Sequence, residues 1–222
     1  MSATEISLTD TLEFQKEIPT ESLLLTGEEM EQALKRYHFP TEEREEFLDL
    51  QDKIREVLQA QGILLTLPVK LRQSPVTYGR QMLQNRDTML GAITLGEGYD
   101  ELQQAYTKER QVGQAYRMET LGMEYLRRCY EWFNQAVGLD GKGYPGAYHY
   151  LESAQEICRA CDYLAEKQFT VLHCNAQGVL IPAKSVIFKT ELHREKRESC
   201  AHSCEICRAV HCSFRQSRQR AE

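Results

Sequence analysis

Four cysteines near the C-terminus carry the densest chemistry in this 222-residue chain. ESCAHSCEICRAVHCSFR places Cys200, Cys204, Cys207 and Cys212 at spacers of three, two and four. Four thiolates within thirteen residues can close a tetrahedral shell around zinc or hold the corners of a 4Fe–4S cluster. The surrounding apolar residues, Ala201, Ile206, Ala209 and Val210, are too few to bury a helix face. His202 and His211 are further candidate ligands, and Arg208 and Arg215 would offset thiolate charge. The first three cysteines also spell a radical S-adenosylmethionine motif. Only fifteen residues follow Cys207, however, and Cys212 would close the iron site such chemistry must leave open.

The other four cysteines read differently. Cys129, Cys158 and Cys161 fall on apolar helical stripes, which predicts core packing, because a buried cysteine behaves as a small hydrophobe. Cys158-Arg-Ala-Cys161 has the spacer of a redox pair but sits inside a predicted helix rather than at its thiolate-favouring N-terminus. Cys174 ends a predicted strand and has no assigned role. A second candidate site is Gly143-Tyr144-Pro145-Gly146. It is either a tight turn or a loop whose glycines admit a ligand beside the Tyr144 face. Gly96 and Gly98 read as turn residues, since a phosphate loop would need a further spaced glycine and a Lys–Ser/Thr pair.

The elements that must position these residues follow from periodicity. Residues 1–26 read as an N-terminal arm, loose or strand-bearing, and 27–60 as two helices, with Thr26 and Thr41 as N-caps. Residues 63–69 and 89–96 read as buried strands, followed by a helix over 99–109. A long helix over 114–137 carries the stripe Ala115, Met118, Gly122, Tyr125, Cys129, Trp132, Ala136. After a loop at 138–148, a helix carries Leu151, Ala154, Cys158, Cys161 and Ala165. Strands at 169–174 and 178–192 follow, joined by a turn at Asn175–Gly178. The fold class is α+β: long helices on one face of a mixed or antiparallel sheet, plus a short C-terminal metal-binding tail. The divisions are an arm (1–26), a domain (27–192) and a basic four-cysteine tail (193–222). Residues 192–222 hold seven Arg/Lys against four Glu.

Composition narrows the function classes. With 27 Lys+Arg against 33 Asp+Glu, the net charge of −6 argues against a general nucleic-acid binder. A mean hydropathy of −0.53 and the lack of a long apolar run argue against a membrane protein. The polar start, MSATEISLTD, lacks the basic and apolar regions of a secretory signal and predicts a cytoplasmic protein. In a reducing compartment, closely spaced thiols are metal ligands more often than disulfides.

Taken in order, LKRYHF, AITLGEGYDELQQAY, the long helix, GYP, a helix and LIPAKSV resemble the S-adenosylmethionine-binding activation domain of cobalamin-dependent methionine synthase. The similarity is to the short, free-standing clostridial-type versions and spans roughly residues 28–215. Those versions end in a cysteine cluster followed by an aromatic–Arg pair, as in Cys212-Ser213-Phe214-Arg215. The resemblance implies a reactivation or accessory protein for a corrinoid methyltransferase of methionine biosynthesis. Its implied partner is methionine synthase or another corrinoid protein, which would bring the cobalamin. It further implies S-adenosylmethionine binding by Gly143, Tyr144 and Pro145 and by the segment Pro182, Ala183, Lys184, Ser185 and Val186, which lies beside that loop in the family. The family places an Arg four residues before its Gly to hold the ligand carboxylate; here that residue is Leu139, with Lys142 nearby. Losing a two-pronged, charge-assisted contact costs about 1.5–3 kcal/mol. The alternative, outside this resemblance, is a non-enzymatic interaction module clipped by structural zinc.

Overall fold

A computed structural model describes residues 13–66 and 88–195, apart from Lys142, Ala147 and Glu152. Among these residues there are five α-helices and eight strands. They are β1 (Glu13–Glu17), α1 (Gly27–Arg36), α2 (Arg44–Val57), β2 (Gln61–Thr66), β3 (Thr88–Thr94), α3 (Glu97–Lys108), α4 (Val112–Leu139), β4 (Tyr144–Pro145), β5 (His149–Tyr150), α5 (Ala154–Glu166), β6 (His173–Cys174), β7 (Leu180–Ile181) and β8 (Ser185–His193). The order β1-β2-β3-β8-β4 forms one sheet, with β5 also on β8, and every pairing is antiparallel. β6 and β7 form a separate two-stranded hairpin.

Both faces of the sheet are covered, not only the one that the periodicity of the long helices predicts. Every residue of β3 is buried, which requires apolar cover on each side of the pleat. Leu64, Met89, Ile93 and Phe188 face the layer of α1 to α4. Ile63, Leu65, Leu90, Ala92 and Ile187 face α5 through Ala160, Cys161 and Leu164. The close approach of α4 depends on Gly62: a Cβ there would lie 2.5 Å from the Phe133 ring.

Local chemistry sets several boundaries. Thr26 caps α1 in a full capping box, accepting from the Glu29 amide while the Glu29 carboxylate accepts from the Thr26 amide. Thr41 does not cap α2; Thr41–Glu43 forms a 3-10 turn and the helix begins at Arg44. Gly96 turns the chain at φ +92°, and a Cβ there would meet the Gln59 carbonyl at 2.8 Å. Residues 13–26, the end of the sequence-read arm, supply β1 and the buried Ile18, Leu23 and Leu25.

Helix α4 extends over 28 residues. Its buried line runs Met118, Gly122, Tyr125, Cys129, Phe133, Val137, while Trp132 and Ala136 sit at its margin. A 3.5-residue stripe drifts about 20° per heptad on a 3.6-residue helix, so the expected face slides off the core toward the C-terminus.

On α5 the true face is Ile157, Ala160, Cys161 and Leu164, and Ala154 and Ala165 are exposed. The core reading therefore holds for Cys161 but not for Cys158. Cys158 lies at the edge of that face and is disulfide-bonded to Cys174, with their Cα atoms 5.8 Å apart. The expected strand 169–174 is reduced to His173–Cys174, because Phe169 and Leu172 point into the core beneath α5 instead of alternating along a ladder. The expected strand 178–192 is divided at the cis Ile181–Pro182 bond into β7 and β8.

Candidate functional site

The Gly-Tyr-Pro segment is held by strand β8. Tyr144 pairs with His193 and Pro145 with Leu192. The Gly146 amide donates to the Glu191 carbonyl at 2.8 Å. Gly143 adopts φ +104°, and a Cβ there would stand 3.0 Å from the His193 carbonyl. Glycine is thus demanded by conformation and by the neighbouring backbone together. What reads as a loop in sequence is in part an edge strand, because β8 continues past its β3 partner and offers free ladder positions.

The end of α4 forms the wall behind it. The Tyr144 ring lies against Gly138: a Cβ there would sit 2.7 Å from its Cδ1. Tyr144 is half-buried, while Leu139 is 81% exposed. The last turn of α4 holds no basic residue, and Asp140, its C-cap, is 3.7 Å from the Lys16 ammonium. Helix-end carbonyls carry partial negative charge, so the described part of this wall supplies no two-pronged donor to a ligand carboxylate.

The chain beyond the loop is anchored by aromatic packing. Tyr148 stacks on Phe188 at 3.7 Å, meets Tyr130 edge-on at 5.4 Å and donates to Asn134 Oδ1 at 2.5 Å. Burial pushes the Tyr130 phenol well above its ordinary range, with Tyr150 adding to the shift. His149 pairs with Lys189 across β5 and β8. Burial lowers the imidazole pKa, against the opposing pull of Glu191. Burial likewise lowers Lys189, opposed by Glu156.

Pro182, Ala183, Lys184, Ser185 and Val186 lie at the other end of β8. Eight steps along the strand separate Ser185 from His193, roughly 26 Å at about 3.3 Å per residue. The two segments expected side by side are therefore not brought together. Lys184 is 7% exposed and pairs with Glu119, with the Met123 sulfur at 3.9 Å. Burial tends to raise Glu119, but Lys184 and Gln103 outweigh it and hold the carboxyl below its usual value. The Ser185 hydroxyl donates to Thr94 Oγ1 at 2.7 Å, and Pro182 is buried. These polar groups lock α3, α4 and β8 together.

Sequence reasoning missed His193, Glu191 and Gly138, the residues that hold and back the Gly-Tyr-Pro strand. The available signal was the length of the β-prone run 178–192, which ends next to them. Cys200, Cys204, Cys207 and Cys212 lie outside the described residues. Among the described residues, no group of three or more His, Cys, Asp or Glu side chains could hold a metal ion. Cys129 and Cys161 are buried free thiols. Burial raises both pKa values, that of Cys161 to about 11. No described helix is long and apolar enough to cross a membrane.

No protein-family model matches the chain, and no curated protein matches it in sequence. Its fold is similar to that of a solved structure, the MetH reactivation domain bound to AdoHcy. The TM-score is 0.51 and the identity 12%, over 85% of this chain and 81% of that one. The fold expected from the motif order is thus the fold observed.

Proposed function

We propose that this protein is a reactivation or accessory factor for a corrinoid-dependent methyltransferase, and that the Gly-Tyr-Pro strand is its S-adenosyl ligand site. The observation that carries the reading is the similarity of the fold to that of a reactivation domain solved with AdoHcy bound, which also supports the ligand class.

The residues fit the ligand in part. Tyr144, braced by Gly138, offers an aromatic face, and Gly143 removes the side chain that would crowd the backbone. Leu139 supplies no carboxylate receptor, which leaves Lys142, a point charge rather than a fork, as the nearest cation in sequence. The chemistry proposed for the bound state is one-electron reduction of the partner's cob(II)alamin coupled to methyl transfer from S-adenosylmethionine, leaving S-adenosylhomocysteine. This chain's part is to present the ligand, with the C-terminal cysteines holding the electron-carrying 4Fe–4S cluster.

Anaerobic purification with iron, zinc and acid-labile sulfide analysis tests the electron role. Four iron and four sulfide per chain support it; one zinc and no sulfide replace it with the structural-clip reading. Calorimetry with S-adenosylmethionine and co-purification with a corrinoid protein test the rest, and failure of both removes the reactivation reading.

A further inference from the structure

We infer that Cys158–Cys174 is a surface thiol–disulfide exchange site, opened by a cellular dithiol, that fastens the β6–β7 hairpin to α5. It is independent of the ligand and metal proposals.

The placement of the described cysteines separates them by reactivity. Cys129 and Cys161 are 0% and 5% exposed, and burial keeps both as thiols. Cys161 faces the sheet with Ala160 and Leu164, so the CxxC spacing on α5 does not make a pair. Cys158 and Cys174 are half-buried at the edge of the same cluster. Their chain neighbours Arg159, His173, Asn175, Ala176 and Gln177 are exposed, so a reductant can approach.

The bridge is also where a small unit can open by itself. Each strand of the hairpin has two residues. Its turn is closed by its own groups: the Asn175 amide donates to the Val179 carbonyl, and Asn175 Oδ1 accepts from the Gln177 and Val179 amides. Against α5 and the apolar cluster beneath it the hairpin has the bridge, the half-buried Leu180 and the tight seat of Gly178, where a Cβ would lie 2.6 Å from Ala154 Cβ. The Cys158 sulfur lies 3.5 Å from the Asn175 carbonyl oxygen, so a reduced thiol has an acceptor waiting. The six-stranded sheet does not depend on this tether, because β8 is held by β3, β4 and β5.

The exchange is a two-electron step. A reductant thiolate attacks one sulfur, the S–S bond breaks, and the other cysteine leaves as a thiolate that takes a proton. The reductant's second thiol then attacks the mixed disulfide, freeing the remaining cysteine and leaving the reductant as its own disulfide.

The test uses the full chain purified without reductant. Peptide mapping should find the segment containing Cys158 linked to that containing Cys174. After millimolar dithiothreitol under native conditions, alkylation should label Cys158 and Cys174 at least tenfold faster than Cys129 and Cys161. Amide exchange over 173–181 should rise at least tenfold while β3 and β8 stay unchanged. A Cys158–Cys161 link, no link, or reduction only on global unfolding would overturn the inference. So would unchanged exchange in the hairpin after reduction. The Cys158→Ser/Cys174→Ser variant should reproduce the reduced exchange pattern; should it fail to fold, the wild-type comparison still decides.

Discussion

Replacing Gly138 by Ala tests whether the Tyr144 ring forms the ligand face. A Cβ at 138 would lie 2.7 Å from Tyr144 Cδ1 and closer still to Cε1, whereas carbon atoms settle at about 3.5–4.0 Å. The ring must move by about 1 Å. Two effects on stability oppose each other. Ala is better than Gly in a helix by about 0.8–1.0 kcal/mol, and overpacking costs about 1–3 kcal/mol. The net change is a loss of about 0–2 kcal/mol, or a Tm decrease of several degrees at most for a chain this size. Binding should suffer more. An aromatic face stacked on a base contributes about 1–3 kcal/mol, and each 1.4 kcal/mol is about tenfold in Kd. Calorimetry with S-adenosylmethionine should show affinity falling about tenfold or more, while circular dichroism shows a folded protein. Tyr144→Phe should retain most of the affinity and Tyr144→Ala should match G138A. Unchanged affinity in folded G138A would refute the assignment of Tyr144.

Three further predictions concern the scaffold. Phe133→Ala removes a fully buried ring that touches Phe14, Phe188 and Gly62; urea unfolding should show a loss of about 3–5 kcal/mol. Glu124, whose side chain is 1% exposed, accepts from Arg36, Arg127 and Tyr37; Glu124→Ala strands part of that network and should cost about 3 kcal/mol by the same measurement, the lower end for a broken buried pair because both arginines reach solvent. The Glu29 carboxyl is held down to about 2, first by the Thr26 amide and then by Arg128. A depressed carboxyl contributes stability above its unfolded value of 4.5 that is lost as pH falls toward 2; Glu29→Gln should therefore flatten the acid limb of the stability profile over that window, and an unchanged limb would contradict it.

The amino-acid order by itself determined the helices, the two central strands and the turns. Their signals are local: Thr26 as an N-cap before α1, a long apolar period in α4, glycines at 96 and 98 where the chain turns into α3. It also nominates Cys200, Cys204, Cys207 and Cys212 as a candidate donor set, which is a matter of residue type and spacing. Tertiary structure decided what depends on distance between segments far apart in the chain. It paired Cys158 with Cys174 across 16 residues rather than leaving it on the helical stripe. It turned the Gly-Tyr-Pro loop into an edge strand on β8. It carried Lys184 and Ser185 to the opposite end of that strand, where Glu119 and Thr94 consume their polar groups. Periodicity reports which face of an element is apolar, but not which partner that face meets. Partner and register are settled only when strands pair and helices pack, and the candidate site is built almost wholly from those two choices.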